Sequence, residues 1–271
     1  MPRKARPQIL LTNDDGIQSP GLWAAAASLA TVGRVTVAAP QEQSSGMGRS
    51  LPSTSTGIIT EQKLHVNGQE WNVYAVSGSP AQAVQHGVLE IMAKKKPNLV
   101  VSGINYGENV GLGTTISGTV GAAMEAAALG IPALAISLEA EQRYHHSYST
   151  EVNFSVAAHF AAYFGRILLA KKMPEDVHLL KVEVPADATP ETPWVLTRVG
   201  RQGYYEPLPP QRTSWNVAAR LGYKEAAILD GEEEDSDVVA LRKYHKVAVT
   251  PISLDMSSRI DLNELQKVLK R

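Results

Sequence analysis

Ile9-Leu10-Leu11-Thr12-Asn13-Asp14-Asp15-Gly16 is an apolar run that stops at an amide, two adjacent carboxylates and a glycine. A helix signal follows at once. Ser19-Pro20 pairs an N-cap residue with proline at the first helical position, and Leu22, Ala25, Ala26, Leu29 and Ala30 recur at helical spacing before Gly33. Val35-Thr36-Val37-Ala38-Ala39, ended by Pro40, reads as a second strand. Strand, helix and strand within about 30 residues form a βαβ unit, and its crossover makes a parallel sheet. The two aspartates then lie at the carboxyl edge of that sheet, where open α/β folds bind ligands. Adjacent carboxylates repel, and keeping both ionised in a cleft calls for a cation. The stretch points to a divalent-metal site.

The rest of the chain supports an α/β protein with a mostly parallel sheet. Residues 58–76 read as an antiparallel hairpin turning at Asn67-Gly68. Ser77-Gly78-Ser79-Pro80 opens a helix with Ala81, Val84, Val88, Leu89 and Met92 on its apolar face, closed by Lys94-Lys95-Lys96. Asn98–Ser102 and Ala133–Ser137 are buried-type strands on either side of a glycine- and asparagine-rich loop and a helix opening at Ser117-Gly118-Thr119. Residues 151–171 form an amphipathic helix and Leu179–Val184 another strand. These elements define a Rossmann-like core over 1–184. From 185 to 271 prolines and scattered aromatics mark a C-terminal extension. It is read as projecting strands and loops suited to subunit contacts, a last core strand at Val247–Pro251, and a terminal helix opened by an Asp261-x-x-Glu264 capping box.

Composition narrows the partners. The 271 residues are 44% apolar and 20% charged, with 26 basic and 27 acidic residues and a net charge of −1. Such balance gives no electrostatic case for a nucleic-acid or membrane-surface protein. No cysteine is present, which excludes disulfides and thiol catalysis and leaves oxygen or imidazole to hold a metal. The basic Met1–Pro7 leads straight into the first strand and no apolar run reaches membrane-spanning length. The expectation is a cytoplasmic protein.

Three strand-ending loops carry small polar groups: Asn13–Gly16, Ser44-Ser45-Gly46 and the stretch after Ser102. In a parallel sheet they share one edge. Asp14, Asp15, the Ser45 hydroxyl and the Asn105 amide oxygen would make a hard, all-oxygen site suited to Mg²⁺ or Mn²⁺, with water completing the shell. Zinc is disfavoured because no histidine pair has ligand spacing near these loops. The helix opening at Ser117-Gly118-Thr119 offers free N–H groups and two hydroxyls, a phosphate cradle. Cation and cradle together suggest metal-assisted phosphoryl chemistry. Each piece also has a plain structural role, Asp14-Asp15-Gly16 as a turn and Ser117-Gly118-Thr119 as a cap. The glycine loop at 103–113 fits neither the dinucleotide fingerprint nor the Walker pattern, and no Gly-x-Ser-x-Gly elbow occurs. His86 reads as packed and His145-His146 as solvated loop residues. Tyr204-Tyr205 and Trp215 suit either base stacking or an interface.

Several ordered motifs resemble the SurE (stationary-phase survival protein) family of 5′/3′-nucleotidases: Ile9–Gly21, Ala39-Pro40 to Ser45-Gly46, Ser77–Pro80, Leu99–Gly107 with Asn109, Ser117–Ala123, Gly130–Ala133 and Thr250-Pro251. The resemblance implies a Rossmann-like three-layer α/β/α core with a β-rich oligomerisation extension, forming a homodimer or homotetramer. It implies a metal-dependent 5′-nucleotidase that hydrolyses nucleoside 5′-monophosphates, and 3′ in some members, with one Mg²⁺ or Mn²⁺ per subunit. The family's metal ligands fall on Asp14, Asp15, Ser45 and Asn105, with Asp14 and Asp15 catalytic. Asn13, Gly46, Asn105, Asn109, Ser117, Gly118 and Thr119 are the candidates for phosphate and substrate. A broader phosphomonoesterase or exopolyphosphatase, and a non-catalytic nucleotide-binding protein, are the rival readings. Gln82 stands where the family has aspartate, Ile116 where an aromatic is common, and Lys181 and Glu183 replace the usual asparagines of the late strand. Tyr223-Lys224-Glu225 replaces the usual tyrosine-tryptophan stretch of the oligomerisation hairpin.

Overall fold

The computed structural model describes residues 5–66, 68–227 and 231–270. Asn67, half of the expected hairpin turn, and Asp230 of the acidic run lie outside the described residues. Nine strands form one sheet: β1 (Gln8–Thr12), β2 (Arg34–Pro40), β3 (Ile59–Val66), β4 (Gln69–Val76), β5 (Leu99–Tyr106), β6 (Ala133–Leu138), β7 (Leu179–Val184), β8 (Trp194–Leu196) and β11 (Val247–Ile252). Their order is β3-β4-β2-β1-β5-β6-β7-β11-β8. The six strands from β4 to β7 are parallel; β3 and β11 pair antiparallel with β4 and β7. The expected hairpin forms, but its second strand also joins the core sheet, parallel to β2.

Helices cover both faces. Period-two alternation sends Ile9 and Leu11 to one side and Leu10 to the other. On the first side α1 (Pro20–Leu29) packs with α4 (Ser155–Ala170); on the second, α2 (Pro80–His86) packs with α3 (Gly118–Ala128). This is the three-layer α/β/α fold expected. Among the described residues no helix is long and apolar enough to cross a membrane.

From β1 the chain winds outward through β2 and β4, then returns to β5 on the other flank of β1. The strand order therefore reverses between β1 and β5, and a crevice opens beyond their carboxyl ends.

Several local expectations are corrected. β5 runs on to Tyr106 with a register shift between Ser102 and Asn105, so Asn105 belongs to a strand end and not to a free loop. Leu89, expected on the apolar face after α2, is 58% exposed, because a π-helical turn at Gly87–Ile91 rotates it out of phase. The Asp261 side chain accepts from Asn263 N at 2.8 Å, a cap without the reciprocal Glu264 bond, at the start of α6 (Leu262–Leu269). A short helix, α5 (Asp237–Arg242), was not anticipated. It follows the acidic run, and Ser236 caps it by accepting from Val239 N. Within the extension, β9 (Tyr205–Leu208) and β10 (Gly222–Glu225) form a separate antiparallel pair.

Candidate active site

A cavity of about 460 Å³ lies beyond the carboxyl ends of β1 and β5. Asp14, Ser45, Gly46, Asn105, Asn109 and Ser117 all line it. Six of the residues singled out in the sequence, from four separate segments, thus meet at one opening. Asn13, Asp15, Gly118 and Thr119 stand behind this lining, all buried.

Asp14 is seated on the N-terminus of α3. The Thr119 hydroxyl donates to its Oδ1, and the backbone N–H groups of Gly118 and Thr119 lie on the side where they favour its charged form. Gly118 makes this approach possible: a Cβ there would lie 2.7 Å from Asp14 Cβ and Oδ2. The Ser117 hydroxyl accepts from Val120 N at 3.1 Å, so the residue caps the helix while facing the cavity. Burial pushes the Asp14 carboxyl above its ordinary value, against the opposing pull of these donors.

Asp15 accepts from Tyr106 N at 3.2 Å and from Gln43 Nε2 at 3.3 Å. Burial first, and then the charge of Asp14, hold its carboxyl well above the usual range. No cationic side chain pairs with either aspartate among the described residues. Asn13 donates to Gly16 O at 3.0 Å, which fixes the turn, and its Oδ1 is buried without a partner.

The other neutral oxygens are held from three sides. Asn105 donates through Nδ2 to Gly107 O (2.7 Å) and Tyr106 O (3.2 Å), which leaves its amide oxygen for the cavity. The Ser45-Gly46 loop is pinned by Ser44 N to Asp14 O at 2.7 Å and by Gly48 N to Ile116 O at 2.9 Å. Gln82, the departure from the usual aspartate, anchors the same loop farther along. Its Oε1 accepts from Ser79 N at 2.9 Å in a capping box, and its Nε2 donates to Pro52 O at 3.0 Å. An aspartate has no donor for the second bond.

The donor set fits a hard divalent cation. Two buried carboxylates lacking a counter-charge stand beside amide and hydroxyl oxygens. Among the described residues no group of three or more His, Cys, Asp or Glu converges. Any cation here takes two carboxylates plus neutral oxygens and water, which suits Mg²⁺ or Mn²⁺ and not zinc.

The far wall of the cavity was not foreseen. His145, expected to be solvated, is 8% exposed and lines it. Its Nε2 is 2.9 Å from Ala140 O and its Nδ1 3.1 Å from Tyr223 Oη. It is buried because β10 folds over it, stacking Tyr223 on the ring with centroids 6.2 Å apart. Tyr205, Pro207 and Tyr223 of the β9–β10 pair, with Leu221 just before β10, complete an apolar, aromatic end. His146 remains exposed at the rim, and Trp215 lies 92% exposed outside the cavity. His86 is partly buried and bonds Glu90 Oε1 at 2.6 Å. The position of His145-His146 after β6, at the same sheet edge as the aspartates, was the signal available in the sequence.

A family model described as "Survival protein SurE" matches residues 9–206. The "5'-nucleotidase SurE" of Methanosarcina mazei is 39% identical to this chain, and that of Methanocella arvoryzae 35%; each alignment covers 97% of this chain and 98% of the relative. The crystal structure of the SurE protein from Aquifex aeolicus superposes with a TM-score of 0.75 at 31% identity, covering 97% of this chain and 98% of that one. With the family model spanning residues 9–206 and relatives matched almost end to end, this chain belongs to the SurE family.

Proposed function

We propose that the protein is a 5′-nucleotidase that hydrolyses nucleoside 5′-monophosphates to nucleoside and phosphate with the aid of one bound Mg²⁺ or Mn²⁺. The observation that carries this reading is the two-ended cavity, with buried carboxylates and a helix N-terminus at one end and apolar aromatic surface at the other. A nucleotide has the matching polarity, and the volume is of the size that ligand pockets reach. The names of the relatives support the same activity.

In this reading Asp14, Asp15, Ser45 and Asn105 would hold the cation, which would supply Lewis-acid polarisation of the phosphoryl group. Asp14 and Asp15 would orient the attacking water. Asn109 and the Ser117 hydroxyl position the phosphate, and Gly46, with φ +76°, leaves the rim free of a side chain. Gly118 and Thr119 open the helix whose N-terminus favours the phosphate charge, while the Thr119 hydroxyl keeps Asp14 seated beside it. Asn13 holds the turn that sets the two carboxylates. The aromatic end, formed by His145, Tyr205 and Tyr223, receives the nucleoside and favours nucleotides over polyphosphate, which has no apolar part.

The division into a core over 1–184 and an extension over 185–271 is proposed with one qualification: the extension also supplies β8 and β11 to the main sheet and the β9–β10 wall to the cavity. Assembly as a homodimer or homotetramer is supported by exposed apolar side chains on the extension, among them Trp215, Leu262 (74%), Val268 (66%) and Leu269 (76%). The proposed setting is the cytoplasm, where nucleotides and Mg²⁺ are abundant.

The test is phosphate release from AMP or GMP with added Mn²⁺ or Mg²⁺, compared with inorganic polyphosphate. Metal-dependent turnover of the nucleotides, lost in Asp14→Asn, is the expected result. Full turnover by Asp14→Asn, or nucleotide binding without turnover at any metal concentration, refutes the reading.

A further inference from the structure

Lys181 and Glu183 depart from the family's usual asparagines, and both are fully buried on β7. Their partners explain how charge is tolerated there. Lys181 Nζ donates to Asp237 Oδ2 at 2.8 Å, to Asn109 O at 2.9 Å and to Glu183 Oε1 at 3.4 Å. Glu183 Oε2 accepts from Asn109 N at 2.9 Å, so the two side chains grip both backbone groups of the same residue. Asn109 Nδ2 in turn donates to Ser137 Oγ at 2.9 Å.

Asp237, the first residue of α5, extends the grip into the extension. Its carboxylate accepts from Gly111 N at 3.1 Å and from Gly200 N at 2.8 Å. Gly111 follows Asn109 in the cavity loop, and Gly200 begins the segment that leads into β9. Leu112 N to Gln202 O, at 3.0 Å, joins the same two segments. Around these bonds Val110, Tyr204, Val238 and Leu241 form a small apolar cluster with Tyr205 against it. Glu108, on the cavity loop and 2% exposed, then accepts from the Tyr205 hydroxyl at 3.0 Å. Buried and part-buried bonds, joined through the 108–111 backbone, therefore connect Lys181 to the aromatic wall by way of Asn109, and none of them involves the aspartate pair.

We infer that Lys181, braced by Glu183 and Asp237, is a positioning residue for the nucleoside-facing wall of the cavity. It sets the 108–111 loop and, through Asp237 and Glu108, the approach of β9 over the site. This rests on the nucleotidase reading. The chain thereby fixes by buried ion pairing a wall whose residues are separated from Lys181 by long stretches of sequence. Removing the ammonium leaves two buried carboxylates to repel across the Asn109–Gly111 backbone, so the loop and β9 move apart.

The test compares AMP with p-nitrophenyl phosphate, an ester that needs the phosphate end alone. Lys181→Met also loosens the Asn109 backbone that both esters share, so KM rises for both, and KM for AMP is expected to rise about tenfold more than KM for p-nitrophenyl phosphate while kcat for each stays within about twofold. Asp237→Asn, isosteric and able to keep its backbone bonds, shifts the AMP KM in the same direction by a smaller factor. It decides the question by the same ratio if Lys181→Met does not fold. A merely structural role would lower kcat for both esters in parallel, and that result, or an unchanged KM for AMP, overturns the inference. Wild-type protein that cleaves p-nitrophenyl phosphate but not AMP overturns the nucleotidase reading and this inference with it. Wild-type turnover of AMP with parallel losses in the variants overturns this inference alone.

Discussion

Gly118→Ala isolates the contact between Asp14 and the N-terminus of α3. A Cβ at residue 118 would stand 2.7 Å from both Cβ and Oδ2 of Asp14, about 0.7 Å inside the 3.4 Å at which ordinary contact begins. The carboxylate oxygen can rotate away, but Asp14 Cβ cannot. Asp14 Cβ is fixed to a strand terminus whose own carbonyl accepts from Ser44 N, so α3 and the 13–16 turn must separate. Overpacking of this size costs about 1–3 kcal/mol, and the better helix propensity of alanine offsets up to about 1 kcal/mol of it. The net loss of about 1–2 kcal/mol lowers the thermal midpoint by a few degrees and leaves the protein folded. Activity is far more sensitive. Displacing the Asp14 carboxylate, catalytic in the proposed mechanism, by much of an ångström is expected to lower kcat/KM for AMP about a hundredfold, about 2.7 kcal/mol of transition-state stabilisation. Steady-state phosphate release at saturating Mn²⁺, with the midpoint measured on the same preparation, reads both quantities. Gly165→Ala is the control. It lies inside α4, where a Cβ would make ordinary 3.4 Å contacts with Leu29 and Leu99, and is expected to stabilise by about 0.5–1 kcal/mol with unchanged turnover. A Gly118→Ala protein working within about threefold of wild type would refute the claim that the helix terminus seats the catalytic carboxylate.

Two further outcomes concern linkage. Burial, and next the charge of Asp14, raise the Asp15 carboxyl well above its ordinary 3.8. Ionising it therefore destabilises metal-free protein, a cost absent below the unfolded-state value and complete above the folded one. In EDTA at neutral pH, Asp15→Asn is expected to unfold at a higher temperature than wild type, and to lose most of the wild-type gain when Mn²⁺ is added. That gain corresponds to about 2.7 kcal/mol at a hundred times Kd; a variant less stable in EDTA that keeps the full Mn²⁺ gain would contradict the assignment. For Lys181, burial lowers the ammonium pKa, but the charges of Asp237 and Glu183 outweigh it and leave it raised above 10.5. A raised lysine contributes stability that is fully present below the unfolded value and is lost as pH climbs through the folded one. Above pH 10.5 wild-type stability should fall more steeply than that of Lys181→Met in denaturant titrations, and equal slopes would exclude the ion pair as the source.

The sequence by itself determined what is local or periodic. β1 was legible as an apolar run stopped by Asn13-Asp14-Asp15-Gly16, α3 from the Ser117 cap, and β7 as the run Leu179–Val184, though not the burial of its Lys181 and Glu183. Once the crossovers were taken as parallel, shared placement at strand ends was enough to gather Asp14, Ser45, Asn105 and Ser117, because a parallel sheet delivers every such loop to one edge. Tertiary structure alone decided the rest. No local pattern relates Lys181 to Asp237, 56 residues apart, or Tyr205 to Glu108, 97 residues apart. His145 looks like any loop histidine until β10 stacks Tyr223 on it. The Thr119 hydroxyl looked like a free donor until Asp14 took it up. Local propensity reports hydrogen bonds and faces within a few residues, whereas burial of charge and closure of a cavity wall depend on which distant segments the sheet order brings together.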